Sequence, residues 1–146
     1  SAHLAAHAGD YELIIASRDW HNAEGDNGGH FAADPDYVDT WPVHCVADTN
    51  GAAYHPDLDV SAVTHHVKKG QGKPAYSLFE GQTDAGETAA SLLSATDHCV
   101  RASALDAIEH GVDVRVLTTM IAGVGVESSQ HAIEEMGHAG AEIIAE

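Results

Sequence analysis

Tyr11-Glu12-Leu13-Ile14-Ile15-Ala16-Ser17, followed after Arg18 by Asp19-Trp20-His21, is the stretch from which the fold is read. The largely apolar run reads as a buried strand, and a strand buried on both faces belongs in a parallel sheet covered by helices. Residues two apart on an extended chain project to the same face, so the Asp19 carboxylate and the His21 imidazole converge at the strand's carboxyl end. Loops at that end are where open α/β sheets bind their ligands.

The segments that follow fit this start. A long loop rich in Gly, Asp and Pro runs from Asn22 to Asp59 and carries Gly29-His30-Phe31 and Trp41-Pro42-Val43-His44-Cys45. A second strand covers Val63 to Lys68, with Lys69-Gly70 at its end, and a loop continues to Asp84. Helical periodicity starts near Glu87 and again from Cys99 to His110. The strand Val112 to Leu117, the helix Ser128 to Gly137 and the strand Ala141 to Ala145 complete the chain, while Ser1 to Gly9 reads as the end of a helix. Alternating strand and helix is the pattern of a parallel α/β layer fold. No internal repeat or linker divides the chain, and its length of 146 residues fits one domain.

Two chemistries are written in these segments. An aspartate with two or three histidines and open positions for water suits Zn, Fe(II) or Mn, because borderline metals accept mixed nitrogen and oxygen donors. In Ala95-Thr96-Asp97-His98-Cys99-Val100-Arg101, Asp97 is a candidate cap, and Val100, Ala104 and Ile108 recur at four-residue steps. A thiol in the first helical turn feels the positive end of the helix dipole, which favours thiolate, and the amides there can hold an oxyanion. Lys69 is placed to steady that negative charge.

Read in order, Asp-Trp-His, Gly-His-Phe, Trp-Pro-Val-His-Cys, Lys-Gly, Ala-Tyr-Ser-Leu-Phe-Glu-Gly and Ala-Thr-Asp-His-Cys-Val-Arg resemble the nicotinamidase/pyrazinamidase family of isochorismatase-like cysteine hydrolases. The resemblance implies a three-layer sandwich with a central parallel sheet flanked by helices. It implies a metal-dependent amidase that converts nicotinamide to nicotinate and ammonia in pyridine nucleotide salvage, with pyrazinamide as a further substrate. Cys99 would be the nucleophile that forms a thioester and Lys69 a member of its triad. Asp19, His21 and His44 would hold one Zn or Fe ion, with Mn as a third choice and His30 as a further ligand. Trp41 and Tyr76 would wall the aromatic ring, with His98 also at the substrate. The amides of Ala95 and Cys99 would form the oxyanion hole, and Ser94-Ala95 would be a cis peptide.

The chain also departs from the family. Relatives begin with an apolar strand ending in an aspartate, the proton acceptor for the cysteine, and a further strand precedes the Ala-Thr-Asp-His-Cys motif; neither is written here. The expectation is a single domain over residues 1–146 without those two strands, these residues being part of a longer polypeptide. The alternatives are a related cysteine hydrolase for another small amide, and an inactive metal-binding form without its aspartate.

Six basic against 23 acidic residues give a formal charge of −17, a field that repels nucleic acid and anionic membranes. No apolar run approaches the roughly 20 residues of a membrane helix, and two cysteines make no disulfide framework. The reading is a cytoplasmic enzyme with a small-molecule partner and its oligomeric state open, although a homo-oligomer is compatible. So few lysines among so many carboxylates predict a fold strengthened by salt. His3, His7, His55, His65, His66, His110, His131 and His138 read as surface or structural residues, and Cys45 as a small buried hydrophobe.

Overall fold

The apolar residues around Ile15 extend and pair with the β-branched and imidazole-bearing segment around Val67. In the computed structural model, which describes residues 2–11, 13–88, 98–121 and 126–145, these become β1 (Ile15–Asp19) and β2 (His65–Lys69). They run parallel in the register Ile15↔His65 to Asp19↔Lys69. Both strands lie further along the chain than the sequence predicts, because pairing begins only where Ile14 meets Thr64, whose amide donates to the Ile14 carbonyl at 2.8 Å. Asp19 and Lys69 are therefore the last rungs of the ladder rather than residues beyond it. Val67 on β2 is fully buried. On the opposite face the guanidinium of Arg18 and the ammonium of Lys68 lie 4.5 and 4.3 Å from the Trp20 ring centre, two cation–π contacts on one indole.

The C-terminal half alternates as predicted. Helix α1 (Ala2–His7) opens the chain; α2 (His98–Glu109), β3 (Arg115–Leu117), α3 (Val126–Ala139) and β4 (Glu142–Ile144) follow in the second half. β3 and β4 are parallel, with Arg115 opposite Glu142. Val100 and Ala104 of α2, Val116 of β3, Met136 of α3 and Ala141 make its core, with Ile108 packed against it, so the four-residue spacing on α2 is the buried stripe. Arg101 grips Glu135 across the two helices, with Nε to Oε2 at 2.6 Å.

A 3₁₀ turn at Leu78–Glu80, which the sequence reading leaves as loop, ties the two halves. Ser77 and Glu80 form a capping box there. The Ser77 hydroxyl donates to Asp106 on α2 at 2.6 Å, and the Leu78 amide donates to the Ser103 hydroxyl at 3.0 Å. The helix expected from Glu87 does not begin there. Thr88 instead bridges Gln82 in extended conformation, and residues 89–97, with Ala95 and the Ser94-Ala95 peptide, lie outside the described residues.

Among the described residues the strands form two parallel pairs rather than one sheet. Between them is a cavity of about 520 Å³ lined by Ile14 to Ser17 and by Val114 to Leu117. Consecutive residues of a strand point to opposite faces, so a wall of consecutive residues means that β1 and β3 each turn an edge toward the space.

Candidate metal centre and catalytic site

The centre is assembled at the carboxyl ends of β1 and β2. Beyond Asp19 the chain stays extended at His21, whose amide donates to the Cys45 carbonyl at 3.0 Å while its carbonyl accepts from Ala47 at 2.8 Å. That pairing draws the His44-Cys45 segment alongside. The His30 segment is fixed by its bridge to Trp41: the Trp41 amide donates to the His30 carbonyl at 2.8 Å. Asn27, almost fully buried, accepts from the amides of Asn22 at 2.9 Å and Gly72 at 3.1 Å, clasping this loop to the segment after β2. Asp36 accepts from the amides of Val38, Asp39 and Thr40, which holds its carboxyl below the usual carboxylate range and folds the turn before Trp41.

Three imidazoles meet as a result. The ring centres of His21 and His30 are 4.9 Å apart, those of His21 and His44 4.8 Å, and those of His30 and His44 5.2 Å. One donor atom from each lies within 4.8 Å of the others. The tautomers are set from behind: His21 Nδ1 lies 2.8 Å from the Gly70 carbonyl, and His44 Nδ1 lies 2.8 Å from the Pro42 carbonyl. A carbonyl only accepts, so each Nδ1 carries the proton and each Nε2 presents a lone pair. His21 Nε2 and His30 Nδ1 are buried without a hydrogen-bond partner among the described residues. Burial lowers the pKa of both imidazoles, His30 also through its His21 and His44 neighbours. Buried, neutral, unsatisfied imidazole nitrogens facing one another are costly unless something accepts their lone pairs. A divalent transition ion does so, and the donor set fits it.

Asp19 stands beside this trio rather than inside it. Its carboxylate pairs with the ammonium of Lys69, which is 3% exposed and also donates to the Ala75 carbonyl at 3.3 Å. On its other side Asp19 joins His44 and Cys45 in a second group of donors within 4.8 Å of one another. Of the four expected ligands, His21, His30 and His44 thus form one trio, and Asp19 meets His44 in a second one completed by Cys45. Cys45 is half-buried, its thiol pKa raised by burial and by Asp19.

Trp41 and Tyr76 come together at the edge of the cluster: the indole Nε1 donates to the Tyr76 hydroxyl at 3.2 Å, and the Tyr76 ring meets His30 edge-on at 5.9 Å. Phe31, to which the sequence reading assigns no role, packs edge-on to His21 at 5.0 Å. Also missed are the carbonyls of Gly70 and Pro42, because a backbone acceptor leaves no mark in side-chain identity. Only the glycine in Lys69-Gly70 hinted at one of them. Gly70 has φ +82°, and a Cβ there would stand 2.6 Å from His21 Nδ1. Cys99 falls in the first turn of α2, as its motif predicts; the side chains of Cys99 and His98 and the whole of Ala95 lie outside the described residues. Of the remaining histidines, His66 meets the Tyr54 hydroxyl at 3.0 Å and His110 stacks on Phe79 at 5.4 Å, both away from the centre.

Comparison with known proteins puts this geometry in context. The nicotinamidase/pyrazinamidase of Mycobacterium tuberculosis is 40% identical over a 151-residue alignment covering 95% of this chain and 80% of the relative. The chain belongs to the nicotinamidase/pyrazinamidase family. The nicotinamidase of Escherichia coli is 33% identical over 89% of this chain and 73% of its own length. Among solved structures, the pyrazinamidase of Pyrococcus horikoshii in complex with zinc superposes with a TM-score of 0.76 at 34% identity, covering 99% of this chain and 82% of that one. The Isochorismatase domain family matches residues 94–146. The chain is therefore an amide hydrolase with an isochorismatase-like α/β fold, a divalent metal centre and a small-molecule substrate. No helix among the described residues is long and apolar enough to cross a membrane.

Proposed function

We propose that this nicotinamidase-family enzyme hydrolyses the carboxamide of nicotinamide, and of pyrazinamide, to the carboxylate and ammonia. The observation that carries the reading is the pair of orphaned imidazole nitrogens, His21 Nε2 and His30 Nδ1, beside the Trp41–Tyr76 pair. Together they make a Lewis-acid site bounded by aromatic walls, the complement of a flat heteroaromatic ring with a basic nitrogen. His21, His30 and His44, with Asp19, would hold the ion; zinc or iron suits the donors, and the zinc complex of the Pyrococcus horikoshii relative favours zinc. When bound, the ion supplies a Lewis acid that anchors the ring nitrogen.

Cys99, in the first turn of α2, adds as thiolate to the carboxamide carbon, and the amides of Ala95 and Cys99 take the oxyanion. The thiol proton passes through a carboxylate to the departing ammonia. Water then cleaves the thioester, releasing the acid and restoring the thiol. Lys69 fixes the electrostatics of the site from the end of β2. The carboxylate would come from a strand between β1 and β3, a placement supported by the edges that both turn toward the cavity there. Trp41, Tyr76 and His98 position the ring.

Ammonia release from nicotinamide, abolished in Cys99→Ala and lost on chelation, tests the reading; full activity after chelation would refute the anchoring role. A preference for a nonaromatic amide would favour a related hydrolase instead. The Lys69–Asp19 ion pair is the observation that favours one alternative, an inactive metal-binding form in which Lys69 serves the ligand Asp19. An intact mass above 15.3 kDa accompanied by turnover excludes that form. The charge of −17 argues against a nucleic-acid or membrane partner, and with two cysteines that make no disulfide framework we place the enzyme in the cytoplasm.

A further inference from the structure

Among the described residues, Cys45 is a donor at this centre that the hydrolytic reading leaves idle. Asp19, His44 and Cys45 each offer one ligand atom within 4.8 Å of the other two. His44 belongs at once to this group and to the imidazole trio, so the two donor sets adjoin through it. In the adjoining trio the Nε2 of His21, a residue 1% exposed, is buried without a partner among the described residues, its ring 4.8 Å from that of His44. The Cys45 backbone is clamped from both sides: its carbonyl accepts from His21 at 3.0 Å, and the amide of Ala47 returns to the His21 carbonyl at 2.8 Å. The Cys45 backbone is thereby held alongside that of His21.

Resting on the metal-centre reading above, we infer that Cys45 Sγ is a metal donor that opens the centre to thiophilic divalent ions. A hard ion such as Mn²⁺ would be held by the imidazoles and Asp19 alone, whereas an ion with more affinity for sulfur, of the Cd²⁺ or Co²⁺ class, would take the Cys45 sulfur in addition to His44 and Asp19. Soft thiolate ligands select such ions against Mn²⁺, which prefers oxygen. Binding through sulfur releases the Cys45 thiol proton as the sulfur–metal bond forms, with no change of oxidation state.

Cobalt(II) is the probe, added to the metal-free full chain. Wild type and Cys99→Ser should both show a near-ultraviolet thiolate-to-cobalt charge-transfer band, and Cys45→Ser should lose it while keeping the visible ligand-field bands of an imidazole-bound ion. The same serine variant should bind Cd²⁺ on the order of tenfold more weakly, with Mn²⁺ affinity unchanged, as for loss of one supporting contact at a metal site. Ligand-field bands without charge transfer in wild type would overturn the inference and leave the metal-centre reading standing. Charge transfer that survives in Cys45→Ser but vanishes in Cys99→Ser would move the donor to the other cysteine and also overturn it. Failure of cobalt to bind wild type would refute both.

Discussion

At the scale of single residues, the centre depends on atoms that no side-chain pattern announces. The Gly70 carbonyl fixes the His21 tautomer, and the left-handed φ of +82° with the closeness of the imidazole leaves no room for a methyl group. Gly70→Ala should push His21 off its line. We expect kcat/KM on nicotinamide to fall about 10²-fold, as for a displacement of about 1 Å at a catalytic centre, with weakened metal retention read in parallel by elemental analysis. The imidazoles themselves predict a pH response. Burial lowers the folded-state pKa of His21 and His30, so in the metal-free protein the unfolded chain binds more protons than the folded one once pH drops below about 6.5. Stability contributed by these groups is present above that pH and lost as pH falls through the folded values. Urea midpoints of chelated protein should decline on acidification below neutrality, and the decline should flatten in His30→Gln.

At the scale of elements, the turn at Leu78–Glu80 and helix α2 act as one piece. Ser77 accepts from the Phe79 amide at 3.2 Å and donates to Asp106, so Ser77→Ala removes a cap and strands a carboxylate. The cost should be about 1–2 kcal/mol, seen as a lower urea midpoint. Because Tyr76 and the helix bearing Cys99 are joined through this turn, KM should rise as well. The turn was not legible in Tyr76-Ser77-Leu78-Phe79-Glu80, since a Ser with Glu three residues on marks a helix start, and a single 3₁₀ turn has too few residues to show a period. The helices α2 and α3 were legible within one or two residues because their apolar residues recur at helical spacing and are buried as a stripe. Strand ends were read less well: β1 begins at Ile15 rather than Tyr11, since apolar identity marks burial while the ladder is set by the partner strand. For the site, residue type and order suggest Asp19, His21, His30 and His44 as candidate donors, and the structure brings the three imidazoles together. The grouping of Asp19 with His44 and Cys45, and the Lys69–Asp19 ion pair, have no mark in the sequence because both are set by how the loop folds back.

At the scale of the whole molecule, charge and topology set the behaviour. A formal charge of −17 repels itself across a small body, and the Debye length shrinks from about 10 Å at 0.1 M salt to about 3 Å at 1 M. The thermal unfolding midpoint should therefore rise between low and molar KCl, and a flat profile would count against a salt-strengthened fold. The parallel pairing of β1 with β2 has a second consequence, a kinetic one. Ile15 and His65 meet across a connection whose regular structure is a single 3₁₀ turn at Asn50–Ala52, with no α-helix, so a long irregular segment must close before the first rung forms. Contacts of such long sequence separation slow folding. An ion that gathers His21, His30 and His44 early would shorten that search. Refolding of the N-terminal half should accordingly be faster with Zn²⁺ present than after chelation, making the metal a folding catalyst for the loop that it later occupies.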